Sequence, residues 1–128
     1  MTQGPVEVTR VDPRRALGDS GERIVERHVG GLSWRVVARN ARTRWGEIDL
    51  VCRDGHGYVF VEVKTRRAGA FVTAAEAATG AKVRRLVRLA WAWLAQAGER
   101  EASWRIVIAA VTVGPEGAAV ELIPVDRC

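Results

Sequence analysis

The run Tyr58-Val-Phe-Val-Glu-Val-Lys64 constrains the fold more than any other segment of this chain. Successive side chains of a β-strand point to opposite faces, so Tyr58 and Phe60 share one face and the three valines share the other. A strand that is apolar on both faces is typically a central strand, covered by other elements on each side of its sheet. The run therefore predicts the middle of a layered core.

Two charged residues, Glu62 and Lys64, end this strand on the face of Tyr58 and Phe60. In a covered position a charge is costly unless it is paired or binds a metal. Eighteen of the twenty basic residues are arginine, so a lysine at position 64 goes against the bias of the chain. A compact ammonium group suits contact with a water nucleophile or a phosphate oxygen. A same-face ion pair at a strand end explains the triplet as well.

A neighbouring strand is predicted over Glu47–Cys52, joined to the first by a turn that contains Asp54-Gly55. It places Asp49 between apolar residues, while Glu47 is a solvent-side neighbour or a supporting group. Two carboxylates and a lysine on adjacent strands are typical of a hydrolytic cluster, in which Asp49 and Glu62 would hold Mg²⁺ or Mn²⁺. To share a metal, both must point to one face, which requires residues paired across the hairpin to have numbers with an odd sum unless a bulge intervenes.

A first helix is predicted from Pro13 to Val29, where apolar residues fall at helical spacing before Gly30-Gly31. Glu22 lies at the border of its apolar stripe, and the small residues Gly18 and Gly21 would allow close approach to the sheet. Glu22 is thus the third candidate carboxylate, although an ordinary surface acid would look the same.

The remaining elements complete one α/β domain over residues 13–128, with a central mixed sheet of about five strands flanked by helices. Further strands are predicted over 32–40, 104–113 and 118–125, a second helix over 81–97, and a capping box over 73–76. The segments 41–46 and 66–71 are predicted to be a polar loop and a flexible run, and residues 1–12 a flexible arm.

Charge and composition indicate a polyanionic partner in the cytoplasm. The chain has 128 residues, a net charge of +5 and a pI near 10.2, and no apolar run long enough for a membrane span. Cys52 and Cys128 lack the spacing of a disulfide framework and are expected to be free thiols. The basic residues predicted to contact nucleic acid are Arg39, Arg42, Arg44, Arg66, Arg67, Lys82 and Arg85. A solvated basic surface explains this charge equally well.

The motif segments together resemble a known family. They are Gly18–Glu22, Arg39-Asn40, Gly46–Val51, Val59–Arg66 and Lys82. They are similar to the YraN-like family of uncharacterised bacterial proteins, which is similar to Holliday-junction resolvases of the PD-(D/E)xK restriction-endonuclease-like superfamily. The resemblance implies a restriction-endonuclease-like fold with Glu22, Asp49, Glu62 and Lys64 on the catalytic positions. It also implies a Mg²⁺-dependent endonuclease acting on branched or structured DNA, and a homodimer, because resolvase-like relatives act as dimers.

Two other classes of function stay open at this point. A nucleic-acid-binding or assembly module could keep the fold and the basic surface without significant nuclease turnover. A protein-interaction role is suggested only by the five tryptophans. Fold carries across a family better than activity does, because function belongs to sites rather than folds.

Overall fold

The computed structural model describes residues 6–9, 21–69 and 79–125, which form one six-stranded sheet covered by a helix on each face. In chain order the elements are β1 (Val6–Thr9), α1 (Gly21–Gly31), β2 (Arg35–Thr43), β3 (Gly46–Arg53), β4 (Tyr58–Arg67), α2 (Gly80–Ala97), β5 (Trp104–Gly114) and β6 (Gly117–Val125). The strand order is β1-β6-β5-β4-β3-β2. The predicted α/β class, a mixed sheet flanked by helices, is confirmed.

Strand β4 lies in the middle of the sheet, as its two apolar faces predict. It pairs antiparallel with β3 and parallel with β5, the strand to which α2 leads. Its first five residues are all buried, and burial ends beyond Glu62. The buried half of β4 therefore anchors the core, and its polar half emerges at the end of the sheet where β3 no longer pairs with it.

The two faces of the sheet carry separate cores. On one face α1 packs Ile24, Val25 and Val29 against the valines of β4 and β5. On the other face α2 packs Leu86, Leu89, Ala90 and Leu94 against Tyr58, Phe60, Ile106 and Ile108. Each helix therefore buries one apolar stripe, and its polar side remains available at the surface.

Helix α2 confirms the prediction of a helix over 81–97. Thr79 caps its start, with Oγ1 accepting a hydrogen bond of 3.3 Å from the backbone N–H of Lys82. Gly98 ends it in the left-handed conformation, at φ 70°. The capping box predicted over 73–76 lies outside the described residues, as do residues 13–20 of the predicted first helix.

The N-terminal arm and the strand count require a correction. Val6–Thr9, within the segment predicted to be a flexible arm, form β1 and pair antiparallel with β6 from Val6↔Glu121 to Thr9↔Ala118. An uncovered β6 would expose a row of unpaired backbone groups, and β1 satisfies them. The sheet therefore has six strands within the described residues instead of about five.

Two segments predicted to be irregular belong to strands. β2 continues through Thr43, because Ala41 and Thr43 are buried on one side and Arg42 is exposed on the other. β4 continues through Arg67, because β5 supplies a parallel partner as far as Arg67↔Val113. In both cases pairing with a neighbouring strand satisfies the backbone where the local sequence is polar.

No helix within residues 21–69 and 79–125 has the length and apolar character needed to cross a membrane.

Candidate active site

The register of the β3–β4 hairpin brings Asp49 and Glu62 to the same place. The paired residues run from Arg53↔Tyr58 to Leu50↔Val61, and their numbers have an odd sum in every pair. The register predicted for a shared site is therefore confirmed. Extending it by one residue sets Asp49 opposite Glu62, just beyond the last paired residues.

Asp49 lies at a break in the pleat of β3. Ile48 packs in the core beneath α2, whereas Leu50 packs in the core beneath α1, although two residues so spaced normally share a face. On the adjacent strand β2, Asn40 has a left-handed φ of 49° and lies between the pairs Arg39↔Leu50 and Ala41↔Ile48, which sets it beside Asp49. The break turns the Asp49 carboxylate towards β4, where its Oδ2 accepts a hydrogen bond of 2.7 Å from the backbone N–H of Val63.

The pKa of Asp49 is shifted by burial and by the charged residues around it. Burial raises its pKa above the ordinary value, and the negative charges of Glu62 and Glu22 raise it further. The Val63 N–H and the Lys64 ammonium act in the opposite direction. Of the four residues predicted for the catalytic cluster, Glu22, Glu62 and Lys64 thus each lie close enough to Asp49 to affect its pKa.

Glu62 is a buried carboxylate, 7% exposed, surrounded by cations. Its Oε2 lies 3.0 Å from Lys82 Nζ, 3.4 Å from Arg85 Nη2 and 3.6 Å from Lys64 Nζ. Burying a carboxylate is tolerable only when such partners are present. Burial and the nearby Lys64 lower the pKa of Lys82, while Glu62 opposes that shift. Lys82 and Arg85, predicted to contact nucleic acid, therefore also contact a site carboxylate.

Glu22 reaches the site because α1 begins very close to β4. A Cβ atom on Gly21 would lie 2.0 Å from Thr65 Oγ1 and 3.1 Å from Val63 Cγ1, so only glycine fits there without movement. This confirms the close approach predicted for Gly21, while Gly18 lies outside the described residues. Beside this contact a cleft of about 610 Å³ opens between α1 and the sheet, lined by Glu22, Glu26, Arg39, Asn40, Leu50 and two further arginines of α1.

The other basic residues predicted to bind nucleic acid are distributed around the molecule. Arg39 is paired with Glu26 in the α1 cleft, its Nε donating at 2.9 Å, and exposed Arg42 lies 3.4 Å from Glu47. Arg44 lies over the ring of Trp45, 5.2 Å from its centroid. Arg66 and Arg67 form the end of β4. Part of the predicted basic surface is therefore neutralised by ion pairs.

The donor set suits a hard divalent cation, but it is not preassembled. Asp49 and Glu62 offer carboxylate oxygens, the ligands that Mg²⁺ prefers. The pKa of Asp49 is raised mainly by burial and further by the charges of Glu62 and Glu22, and a bound cation would offset that repulsion. Within the described residues no group of three His, Cys, Asp or Glu side chains is arranged to hold a metal ion. All three cations at Glu62 contact Oε2, so a metal ion that used this oxygen would displace at least one of them.

Lys82 is the site residue whose role was not predicted, and the sequence carried a signal for it. The bias towards arginine that distinguished Lys64 applies equally to Lys82, the second of two lysines in the chain. The sequence does not reveal the contact between Lys82 and Glu62, because these residues lie on a helix and a strand that meet only in the folded protein.

Comparison with known proteins places these residues in a family. Residues 21–111 match the family described as Uncharacterised protein family UPF0102. A UPF0102 protein of Mycolicibacterium vanbaalenii is 44% identical over 107 residues, covering 84% of this chain and 88% of that protein. A UPF0102 protein of Symbiobacterium thermophilum is 45% identical over 103 residues, covering 80% and 87%.

One solved structure is similar at a low level. It is that of Pyrococcus furiosus SfsA in complex with Ca²⁺, with 16% identity and a TM-score of 0.39. The match covers 88% of this chain and 64% of the SfsA chain, which is less than two thirds of its length.

Proposed function

We propose that this chain, which belongs to the uncharacterised protein family UPF0102, is a divalent-metal-dependent endonuclease that cuts branched or otherwise structured DNA. The resemblance to the YraN-like family is confirmed by this membership. The membership itself names no activity, so the proposal depends on the site.

The observation that supports it most is the register that sets Asp49 opposite Glu62 where β3 and β4 part, close enough for the charge of Glu62 to raise the pKa of Asp49. Lys64 follows Glu62 by two residues on the same face and lies 3.6 Å from it. Glu22 approaches from α1, close enough to affect the pKa of Asp49. Three acids and a lysine from three elements at one end of a sheet are the groups that phosphodiester hydrolysis requires.

Each residue has a role in the proposed reaction. Asp49 and Glu62 would hold Mg²⁺ or Mn²⁺, which when bound neutralises charge on the phosphate. Lys64 would orient the attacking water or contact a phosphate oxygen with its ammonium. Glu22 would act through a water molecule at the mouth of the site. Lys82 and Arg85 would shift from Glu62 to the phosphate backbone of the DNA when the metal binds.

DNA contacts, the cellular compartment and the number of protein copies form the rest of the proposal. The DNA partner would be held by the exposed arginines, with the protein in the cytoplasm. Because a four-way junction needs paired cuts, two copies of the chain would act together on such a substrate.

A nucleic-acid-binding module without turnover is the second candidate, and one observation favours it. The three cations at Glu62 already compensate its charge without a metal. In such a module the acidic cluster would serve to position Lys82 and Arg85, and cleavage would be absent.

Cleavage assays with Lys64 variants test the first candidate against the second. Wild-type protein is incubated with linear, flapped and four-way DNA in Mg²⁺ or Mn²⁺. Lys64→Ala should abolish cleavage and leave folding and DNA affinity nearly unchanged, because the loss is confined to the transition state. Lys64→Arg should fail as well, since a planar guanidinium cannot replace a compact amine.

The charge-matched control is Arg100→Ala, which removes one exposed positive charge beyond the end of α2. It should cleave at the wild-type rate. Cleavage that survives Lys64→Ala at the wild-type rate would contradict the proposed site. DNA binding without cleavage by the wild type, on every substrate and with either metal, would favour the module.

A further inference from the structure

Two of the five tryptophans lie exposed on either side of one groove, away from the acidic site. Trp45 is 52% exposed in the turn between β2 and β3, and Trp91 is 49% exposed on α2. The groove between them has a volume of about 640 Å³ and is lined by Arg44, Arg88, Ala92 and Ala95 among others, with no acidic side chain. We call it the Trp45–Trp91 groove.

The Trp45 side of the groove is held by a tight turn. Thr43 Oγ1 accepts a hydrogen bond of 3.1 Å from the Trp45 N–H and donates one of 2.9 Å to the Gly46 carbonyl oxygen. Gly46 has a φ of 137°, which favours glycine, and lies against Leu89 of α2. The exposed ring is thus presented by a fixed backbone.

The Trp91 side is held by packing. Its ring meets Trp104 edge to face, with centroids 5.4 Å apart and planes at 75°. Two large aromatic rings that border one groove at half exposure offer apolar area that a ligand can bury. The groove is therefore a prepared aromatic surface.

The charges of the groove select an anionic aromatic partner. The guanidinium carbons of Arg44 and Arg88 lie 5.2 and 5.1 Å from the centroid of the Trp45 ring. Both arginines are exposed and can contact phosphates while a base lies on a tryptophan. Aromatic platforms within a basic groove are the chemistry by which proteins bind unpaired nucleotides, because every base has a π-face.

Helix α2 connects the groove to the acidic site. Arg85 contacts Glu62, and Arg88 and Trp91 follow at intervals of three residues, each turned by about 60° around the helix from the one before. At 1.5 Å per residue, Arg85 and Trp91 are separated by about 9 Å along the axis. A single strand that leaves the acidic site and winds around α2 towards its C-terminal end would therefore reach the groove.

We infer that the Trp45–Trp91 groove binds unpaired bases of a single-stranded DNA segment next to the cleavage position. This inference rests on the proposed nuclease function and deepens it, since it specifies a substrate with an unpaired stretch, such as a flap or an open junction. Duplex DNA, whose bases are stacked on one another, cannot use the groove.

Binding without divalent metal tests the inference separately from catalysis. Fluorescence anisotropy is measured with labelled oligothymidylate and with a blunt duplex, in the presence of EDTA. Trp45→Ala and Trp91→Ala should each weaken single-strand binding by roughly tenfold, as expected for the loss of one stacked base. Duplex binding should change by less than about twofold, because it is dominated by phosphate contacts.

Two further variants keep the result interpretable. Trp45→Phe retains a π-face and should keep most of the single-strand affinity that Trp45→Ala loses. Leu32→Ala removes an exposed apolar side chain elsewhere and should bind the single strand as the wild type does.

The outcomes distinguish the groove from the nuclease. Tryptophan-dependent binding of the single strand in a protein that never cleaves would support the groove and refute the nuclease. Lys64-dependent cleavage with single-strand binding unaffected by either tryptophan would overturn the groove alone. If the tryptophan variants weaken single-strand and duplex binding equally, the inference about the groove is also overturned. The same holds if the wild type is a dimer and Trp91→Ala dissociates it without changing the single-strand affinity.

Discussion

Replacing Gly21 with alanine would force a Cβ atom to within 2.0 Å of Thr65 Oγ1 and 3.1 Å of Val63 Cγ1. Either α1 must withdraw from β4 or the Thr65 side chain must move. Overpacking of this kind costs about 1–3 kcal/mol. For a chain of this size a loss of about 2 kcal/mol lowers Tm by roughly 6–10 °C. Withdrawal of α1 would also carry Glu22 away from Asp49, so Mn²⁺ affinity should fall as well.

The same contacts provide the controls. Gly30 lies in the same helix, and a Cβ there meets nothing within 4 Å. Gly30→Ala should therefore leave stability unchanged or raise it by about 0.4–1 kcal/mol, the usual effect of removing glycine from a helix. Thr65→Ala removes the atom at 2.0 Å and leaves contacts of 3.1 and 3.3 Å, which small shifts can absorb.

Urea denaturation and calorimetric Mn²⁺ titration of both single variants and the double variant measure the coupling. Gly21→Ala combined with Thr65→Ala should recover about 1 kcal/mol or more relative to the sum of the single changes. If Gly21→Ala is as stable as Gly30→Ala, or if Thr65→Ala gives no rescue, the close approach of α1 to β4 is refuted.

Three other expectations follow from the structure. Burial raises the pKa of the Cys52 thiol to about 11. In a Cys128→Ser variant, Cys52 should therefore resist a thiol reagent at about pH 8 until the protein unfolds. Rapid labelling of the folded protein would contradict this. The hydrogen bond from Arg39 lowers the pKa of Glu26 below its ordinary value of 4.5. The stabilisation is therefore present above the pKa of the unfolded state and is lost as the pH falls through the pKa of the folded state. The difference in unfolding free energy between wild type and Glu26→Gln should close on acidification, and a difference that persists at low pH would argue against the ion pair. DNA affinity should fall steeply with salt, and Arg67→Ala should reduce the slope of log affinity against log salt by about one charge, whereas an affinity that ignores salt would rule out phosphate contacts.

The parts of the fold that the sequence predicted are those in which burial and local pattern agree. β4 is apolar on both faces and lies in the centre of the sheet, and α2 runs from Gly80 to Ala97, where an apolar stripe ends at a glycine. The hairpin register is the one that a metal shared by Asp49 and Glu62 requires. In these elements the hydrophobic period fixes both the secondary structure and the face that is buried.

The errors fall where a distant partner decides the outcome. Val6–Thr9 form a strand because β6, more than a hundred residues away in sequence, offers an edge. The polar end of β4 stays extended because β5 pairs with it after the crossover through α2. Long-range pairing leaves no local period in the sequence, so propensity alone predicted irregular structure.

The candidate site shows the same division. Asp49, Glu62 and Lys64 were proposed from one hairpin, because alternation places Glu62 and Lys64 on one face of β4 and the odd-sum register sets Asp49 opposite Glu62. The contact of Lys82 with Glu62 and the break in the pleat at Asp49 depend on how α2 and β2 meet the hairpin. Such tertiary contacts are invisible to a reading of periods along the chain.

The hydrogen bond from the Val63 amide to Asp49 Oδ2 makes this amide different from its neighbours in β4. Its proton is protected from exchange with solvent by a side chain rather than by the backbone of a paired strand. Amides inside the sheet exchange only when the ladder opens, whereas this one can exchange whenever the carboxylate turns away. The Val63 N–H resonance is therefore a built-in reporter on the state of Asp49, readable by NMR without a substrate or a label on the site.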